Sequence, residues 1–201
     1  MRDLIMLVAD KNTEFTIHGG LGRPTALSVR PVDYHILVHP ERDGGVRRTG
    51  VQLLRLQRRQ FGHALLLFDY EGSGASVAAD ELEAALTAEL RTTWGDNGRA
   101  IVVRPEVDVW MWGADVHLQR VVGWSFADGV RDWLVSSGFL FDHTGKPQRP
   151  KEALEAVFRR AQTRRSSACY KTLASMQSLS RCEDASFLKL RAILQLWFPP
   201  V

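Results

Sequence analysis

The sequence predicts an α/β fold with a mostly parallel central sheet flanked by helices. Two unbroken apolar runs, residues 4–9 and 64–68, are each followed directly by an aspartate. Such runs are typical of strands buried on both faces, as in a parallel sheet covered by helices. Two more strand-like runs, residues 34–39 and 99–103, alternate with helical patterns along the chain. This alternation of strands and helices favours right-handed crossovers between parallel strands.

Composition predicts one soluble domain that spans residues 1–201, with the sheet in about residues 1–115 and a helical layer in about residues 116–201. Hydrophobic residues make up 45% and charged residues 24%, which are ordinary globular values. The two cysteines lack zinc-ligand spacing, so we expect free thiols in a reducing compartment. The first apolar run is too short for a signal peptide or a membrane span. We therefore expect a cytoplasmic protein with no membrane partner.

Helices are predicted in the three connections between the strands, where apolar residues recur at helical spacing. The predicted elements are a short helix capped by Asn12 or Thr13, a loop at residues 40–45, a helix over about residues 48–60, and a helix from a Ser76 cap to about residue 90.

The C-terminal half reads as mainly helical. Residues 106–112 alternate like a strand, but they follow a proline and can equally begin a helix. Trp110 and Trp112 are predicted to lie in the core, because no run of exposed aromatic residues accompanies them. The remaining helices are predicted at about residues 126–136, from Pro150, at residues 170–178, and from an Asp184 cap.

Acidic residues follow three of the predicted strands. Asp10 ends the first, the pair Asp69 and Glu71 ends another, and Glu106 follows the fourth, with Asp108 a weaker candidate. Side chains two apart on a strand point the same way, and parallel strands end at one edge of a sheet. Their carboxylates can therefore converge on Mg²⁺ or Mn²⁺, which prefer oxygen ligands. The alternative is that Asp69 starts a turn and Glu71 is solvated.

Cations concentrate in two parts of the chain although the net charge is only +3. Several arginines lie between residues 47 and 59, and four more lie at or after the end of the helix that begins at Pro150. Cations near a helix C-terminus are favourable in any case. Arginines also bind phosphate through paired hydrogen bonds. Solvated faces and phosphate contacts both stay open as interpretations.

Several short motifs share their order and spacing with a known pattern. The resemblance is to the TOPRIM domain of topoisomerases, primases and overcoming-lysogenization-defect nucleases, and more strongly to bacterial families of unknown function with a TOPRIM-like core. It is greatest to the family that forms the fourth component of methylation-associated defence systems against phage. The matching pieces are Val8 to Glu14 (VADKNTE), Asp69-Tyr70-Glu71, Pro105-Glu106 with Trp110, Pro150-Lys151-Glu152, Tyr170-Lys171 and Ser186-Phe187.

The resemblance implies a TOPRIM-like or Rossmann-like fold and a divalent-metal-dependent nuclease, or another phosphoryl-transfer enzyme, in phage defence. It implies that nucleic acid and other defence subunits are partners and that Mg²⁺ or Mn²⁺ is the cofactor. The implied catalytic residues are Asp10, Glu14, Asp69 and Glu71, the implied metal ligands are Asp10, Asp69, Glu71 and Glu106, and the implied nucleic-acid contacts are Lys11, Arg159, Arg160, Arg164, Arg165 and Lys171.

The chain departs from the TOPRIM pattern at its first acid. Asp10 stands where the pattern has a glutamate, Lys11 replaces a glycine, and the second pair is Asp-x-Glu. The departure favours a second interpretation, a non-catalytic subunit that binds nucleic acid or partner proteins and regulates the defence complex. A small-ligand α/β protein is a third, but the sequence has no GxGxxG or Walker loop.

Overall fold

The computed structural model describes residues 1–179 and 182–200, and a four-stranded sheet forms its centre. All strand pairs are parallel, and the strand order is β2-β1-β3-β4. The predicted α/β class with a parallel sheet is therefore confirmed. The strands are β1 (Arg2–Val8), β2 (Tyr34–Val38), β3 (Phe61–Asp69) and β4 (Gly98–Val103).

Helices fill every connection between the strands and most of the chain after β4. They are α1 (Lys11–Leu21), α2 (Pro24–Leu27), α3 (Arg42–Arg55), α4 (Ala79–Trp94), α5 (Asp115–Val122), α6 (Val130–Ser136), α7 (Pro150–Arg160), α8 (Ser167–Met176) and α9 (Ala185–Trp197). Within the described ranges, no helix is both long enough and apolar enough to cross a bilayer.

Side-chain alternation along the buried strands divides the core into two parts. On β1, Leu4 and Met6 pack in the cluster that also contains residues of α1 and the C-terminal helices. Ile5 and Leu7 pack in the other cluster, against α3 and α4. Each apolar run is continuous because both faces of the sheet are covered.

The outer edge of β4 is closed by side chains of α4. The Ala100 backbone N–H donates to Thr87 Oγ1 at 3.1 Å, and the Val102 N–H donates to a Glu83 carboxylate oxygen at 2.9 Å. These contacts satisfy backbone groups that an uncovered edge strand would offer to another chain.

Five predicted helix starts are wrong. In the second half of the chain, α6 begins at Val130 rather than near residue 126, and α8 begins at Ser167 rather than at residue 170. The other three lie in the first half. Helix α3 begins at Arg42 rather than near residue 48, and the segment predicted as a loop belongs partly to it. Its Gly45 is needed for close packing, because a Cβ there would lie 2.2 Å from Nδ1 of His39. Helix α4 begins after Ala78 rather than at a Ser76 cap. Asp10, not Asn12 or Thr13, caps α1.

The segment after β4 forms neither a strand nor an α-helix but a 3₁₀ helix over Val107–Met111. Trp110 and Trp112 are buried there, as predicted. The indole N–H of Trp110 donates to Asp184 Oδ1 at 2.9 Å. The same oxygen accepts the N–H groups that cap α9, so the predicted Asp184 cap is confirmed. Helix α5 was not predicted.

Helices α1 and α8 approach closely at Gly19, and this contact gives a stability prediction. A Cβ at Gly19 would lie 2.5 Å from the Lys171 carbonyl oxygen and 2.7 Å from Ala174 Cβ. At Gly20 it would meet no atom within 4 Å. We expect Gly19→Ala to lower the free energy of unfolding by about 1–3 kcal/mol. Gly20→Ala should raise it by up to about 1 kcal/mol, because alanine favours the helix.

Urea unfolding followed by circular dichroism measures both effects, and Gly20→Ala serves as the matched control. Equal changes in the two variants would contradict the close packing of α1 on α8.

Candidate functional site

The carboxyl ends of the four parallel strands lie side by side along one edge of the sheet, which we call the carboxyl edge. From β1 the chain passes to β2, on one side of β1, and then crosses to β3, on the other side of β1. In open α/β sheets, ligands bind at such a switch point. Val8 pairs in register with Leu67, so Asp10 and Asp69 each stand two residues beyond a paired position. The parallel register therefore brings these two aspartates to the same edge.

Three aspartates at this edge are each fixed through one oxygen. Asp10 Oδ1 accepts the Thr13 backbone N–H at 2.8 Å, and Asp69 Oδ1 accepts the Val107 N–H at 2.8 Å. Asp43, in the first turn of α3, accepts the Asp69 N–H through Oδ1 at 2.9 Å. In the described part of the chain, the second oxygen of each aspartate accepts no hydrogen bond from another residue. That oxygen is available to a ligand.

Two further acids at this edge are buried and contact cations from the C-terminal helices. Glu106 is 5% exposed, accepts the Lys151 backbone N–H at 3.1 Å, and has its other oxygen 3.7 Å from Lys151 Nζ. Asp108 is 4% exposed and accepts the Tyr170 hydroxyl at 2.5 Å and an Arg165 N–H at 3.1 Å. We call Asp10, Asp43, Asp69, Glu106 and Asp108 the acid cluster.

Burial and neighbouring acids raise the pKa values of Asp43, Asp69, Glu106 and Asp108. Burial is the main reason that the pKa of Asp69 lies well above its usual range, and repulsion by Asp43 adds to it. Burial also raises the pKa of Asp43 and of Asp108, and the charge of Asp10 contributes to both. Mutual repulsion of buried carboxylates favours a bound proton or a bound cation.

Glu106 has a strongly raised pKa. Burial, and then the charge of Asp108, raise its pKa from 4.5 to about 7, although Lys151 opposes the shift. A carboxyl group with such a pKa exchanges its proton near neutral pH.

Glu71 and Glu14, both predicted site residues, lie at the margin of the cluster. Glu71 is exposed in the turn after β3. Since β3 ends at Asp69, the alternation of side chains along the strand does not extend to Glu71. The charge of Glu71 nevertheless raises the pKa of Glu106. Glu14 lies on α1, with Oε2 2.6 Å from Lys11 Nζ and Oε1 3.9 Å from His18 Nε2.

The predicted nucleic-acid contacts divide into two groups. Arg165 points into the acid cluster, where it contacts Asp108 and Tyr170 and donates to Glu155 Oε1 at 2.5 Å. The other cations are exposed, although Lys11 pairs with Glu14 and the Arg160 guanidinium lies 4.2 Å from the Phe126 ring centroid. The exposed members are Lys11, Arg159, Arg160, Arg164 and Lys171.

Sequence reasoning missed Asp43 and gave Asp108 too little weight. Asp43 follows β2, so an acid near the carboxyl end of every strand was the available signal. Lys151, Arg165 and Tyr170 join the cluster only through packing of α7 and α8. Among residues 1–179 and 182–200, no three His, Cys, Asp or Glu side chains are already placed to hold a metal ion.

The pKa of Glu106 gives a pH prediction for the metal-free protein. The folded state binds this proton more tightly than the unfolded chain, so stability from Glu106 is present below pH 4.5 and is lost as pH rises through about 7. Glu106→Gln removes this loss. The free energy of unfolding of the variant, measured relative to that of wild type, should therefore rise by on the order of 3 kcal/mol between pH 4.5 and pH 8.

Urea unfolding in EDTA across this pH range measures the difference. Glu81→Gln, an exposed change on α4, is the control and should show no such trend. A constant difference between Glu106→Gln and wild type would contradict the raised pKa.

Comparison with known proteins adds no assignment. No family model matches the sequence, and neither a curated protein nor a solved structure is found to be similar to the chain. The TOPRIM-like relationship stays a prediction from the motifs.

Proposed function

We propose that this protein is a TOPRIM-like component of a bacterial phage-defence system and acts as a divalent-metal-dependent nuclease or related phosphoryl-transfer enzyme. One observation carries the proposal. The half-buried Asp10, Asp43 and Asp69 meet at the switch point between β1 and β3, each held through one oxygen with the other available.

The chemistry of this donor set fits Mg²⁺ or Mn²⁺. Every available atom is a carboxylate oxygen, the ligand type these ions prefer. Backbone N–H groups orient the carboxylates, as outer hydrogen bonds commonly do around metal ligands. Asp10, Asp43 and Asp69 would hold the ion, with Glu71 and Glu106 beside them. Because no trio of ligands is prearranged among the described residues, we expect the ion to draw the side chains together.

The bound ion and the side chains of the site would have different roles in the reaction. A bound divalent ion would supply an activated water and would stabilise charge on the transferring phosphate. Glu106, whose pKa is about 7, can accept or return a proton near neutral pH. Tyr170 and Arg165 hold the Asp108 carboxylate in place.

Nucleic acid is the proposed substrate, bound through its phosphates. Arg159 lies in the last turn of α7, Arg164 follows that helix, and Lys171 lies on α8. All three are exposed. Contacts from such side chains to phosphate are independent of base sequence. This binding would place a strand of the nucleic acid near the carboxyl ends of the β-strands.

A specific observation favours the non-catalytic alternative. Lys151 already lies against Glu106, and Arg165 already pairs with Asp108. If these internal cations are the cluster's permanent counter-charges, the cluster is structural and the protein is a binding subunit of the defence complex.

Metal binding separates the two functions. With Mn²⁺ or Mg²⁺ at 100 times the dissociation constant, wild type should gain about 2.7 kcal/mol of stability and a higher Tm. Asp69→Asn should lose this gain and, in EDTA, should melt at or above the wild-type Tm, because it relieves repulsion. Thermal melts with and without each ion measure both effects.

Asp96→Asn is the control for the metal experiment. Asp96 is exposed just before β4, at the opposite edge of the sheet, and should leave the ion response unchanged. If 10 mM of either ion, on the order of 100 times a weak site's dissociation constant, leaves wild type unchanged, the enzyme proposal fails and the binding subunit remains.

Phosphate binding is tested separately. The double variant Arg159→Ala/Arg164→Ala should weaken binding to a labelled single-stranded DNA or RNA and lower the slope of log affinity against log salt by about 1.4. Fluorescence anisotropy across a salt series measures both quantities.

Arg55→Ala/Arg59→Ala is the matched control, since it removes the same charge from exposed positions near the other edge of the sheet. An equal loss in both double variants would show only a general charge effect and would overturn the proposed binding face.

A further inference from the structure

A cavity of about 350 Å³ lies between the sheet and the C-terminal helical layer, apart from the acid cluster. No member of the acid cluster lines it, and neither does Glu71. The volume lies within the range of small-molecule sites. Its wall is mainly apolar and includes Ile17, Leu27, Trp112, Phe187, Leu190 and Leu194.

Polar groups of the lining have incomplete partners. His117 Nδ1 is buried and has no hydrogen-bond partner among the described residues. Lys146 has a side chain only 13% exposed, yet its Nζ lies 3.8 Å from Asp184 Oδ2, beyond hydrogen-bond distance. A buried polar atom without a partner destabilises the folded protein. A ligand with polar atoms at this side of the cavity would remove that cost.

The charges of the lining favour an anion. Lys146 and Arg131 both line the cavity, and Arg131 Nε lies 3.8 Å from its acidic partner Asp115. Asp184 does not line the cavity: its Oδ1 accepts the two N–H groups that cap α9, and its Oδ2 is the ion-pair partner of Lys146. The acid in the lining, Glu183, is exposed to solvent.

We infer that this cavity binds a small amphiphilic anion, with an aromatic or aliphatic body against Trp112 and Phe187 and an acidic head beside Lys146 and Arg131. His117 would hydrogen-bond to the head. The inference goes beyond the proposed function and does not depend on it, since the two sites share no residue.

Two probes with one aromatic body test the inference on the full chain. 1-Anilinonaphthalene-8-sulfonate carries an anionic head, and N-phenyl-1-naphthylamine lacks it. Fluorescence titration should show saturable one-to-one binding of the sulfonate, about tenfold tighter than binding of the neutral probe. Absence of saturable binding, as for a cavity that holds only water, would overturn the inference.

Two variants place the binding and its charge selection in the cavity. Gly20 lines the cavity, and its added Cβ meets no atom within 4 Å, so Gly20→Leu has room to fill it. We expect Gly20→Leu to weaken both probes about tenfold. Lys146→Met should weaken the anionic probe alone. Ala185→Leu, an exposed change outside the lining, should change neither.

Unfolded or loosened protein also binds such probes, so each variant's thermal melt is recorded in parallel. If Gly20→Leu binds both probes as tightly as wild type and as the control Ala185→Leu, the probes bind outside the cavity and the inference is wrong. If Lys146→Met weakens both probes equally, the site does not select anions and the assigned ligand class is wrong.

Discussion

Parallel pairing of β1 with β3 is the constraint on which the candidate site depends. Buried apolar side chains on both faces of these strands fix the register. A slip of one residue would exchange the two faces, so burial holds the register strongly. Asp10 and Asp69 therefore meet at one edge because of how the core packs, before any contact between them contributes. Packing of the hydrophobic core thus holds the two carboxylates close together despite their mutual repulsion.

The C-terminal helical layer supplies counter-charge to two other acids of the cluster, Glu106 and Asp108. Helix α7 brings Lys151 to Glu106, and Tyr170 of α8 and Arg165 just before it contact Asp108. The layer thus contributes counter-charge as well as apolar cover. It does so on the β4 side, whereas the hydrogen bonds that hold Asp10, Asp43 and Asp69 come from N–H and hydroxyl groups. In the proposed function, this asymmetry would direct an added cation toward the switch point between β1 and β3.

The sequence predicts the sheet well because each strand is a local apolar run that ends at a polar residue. The start of α3 was mispredicted because Gly45 looks like a loop residue locally, whereas its smallness accommodates the ring of His39. Asp43 was missed for the same reason, since its place in the site depends on that helix start. Arg165 cannot be distinguished from Arg164 by composition, because only tertiary packing turns one inward and leaves the other exposed. The cavity, built from several distant segments, has no local signal.

Helix α1 connects the two proposed sites. Asp10 caps its first turn at the acid cluster, and Gly20, near its last turn, lines the cavity. Gly19 packs so closely on α8 that a single Cβ would overlap its backbone, and α8 also carries Tyr170 of the cluster. Two sites influence each other only through an element with two arrangements that each ligand prefers differently. Because the close contact at Gly19 ties α1 to α8, we expect the two sites to bind their ligands independently.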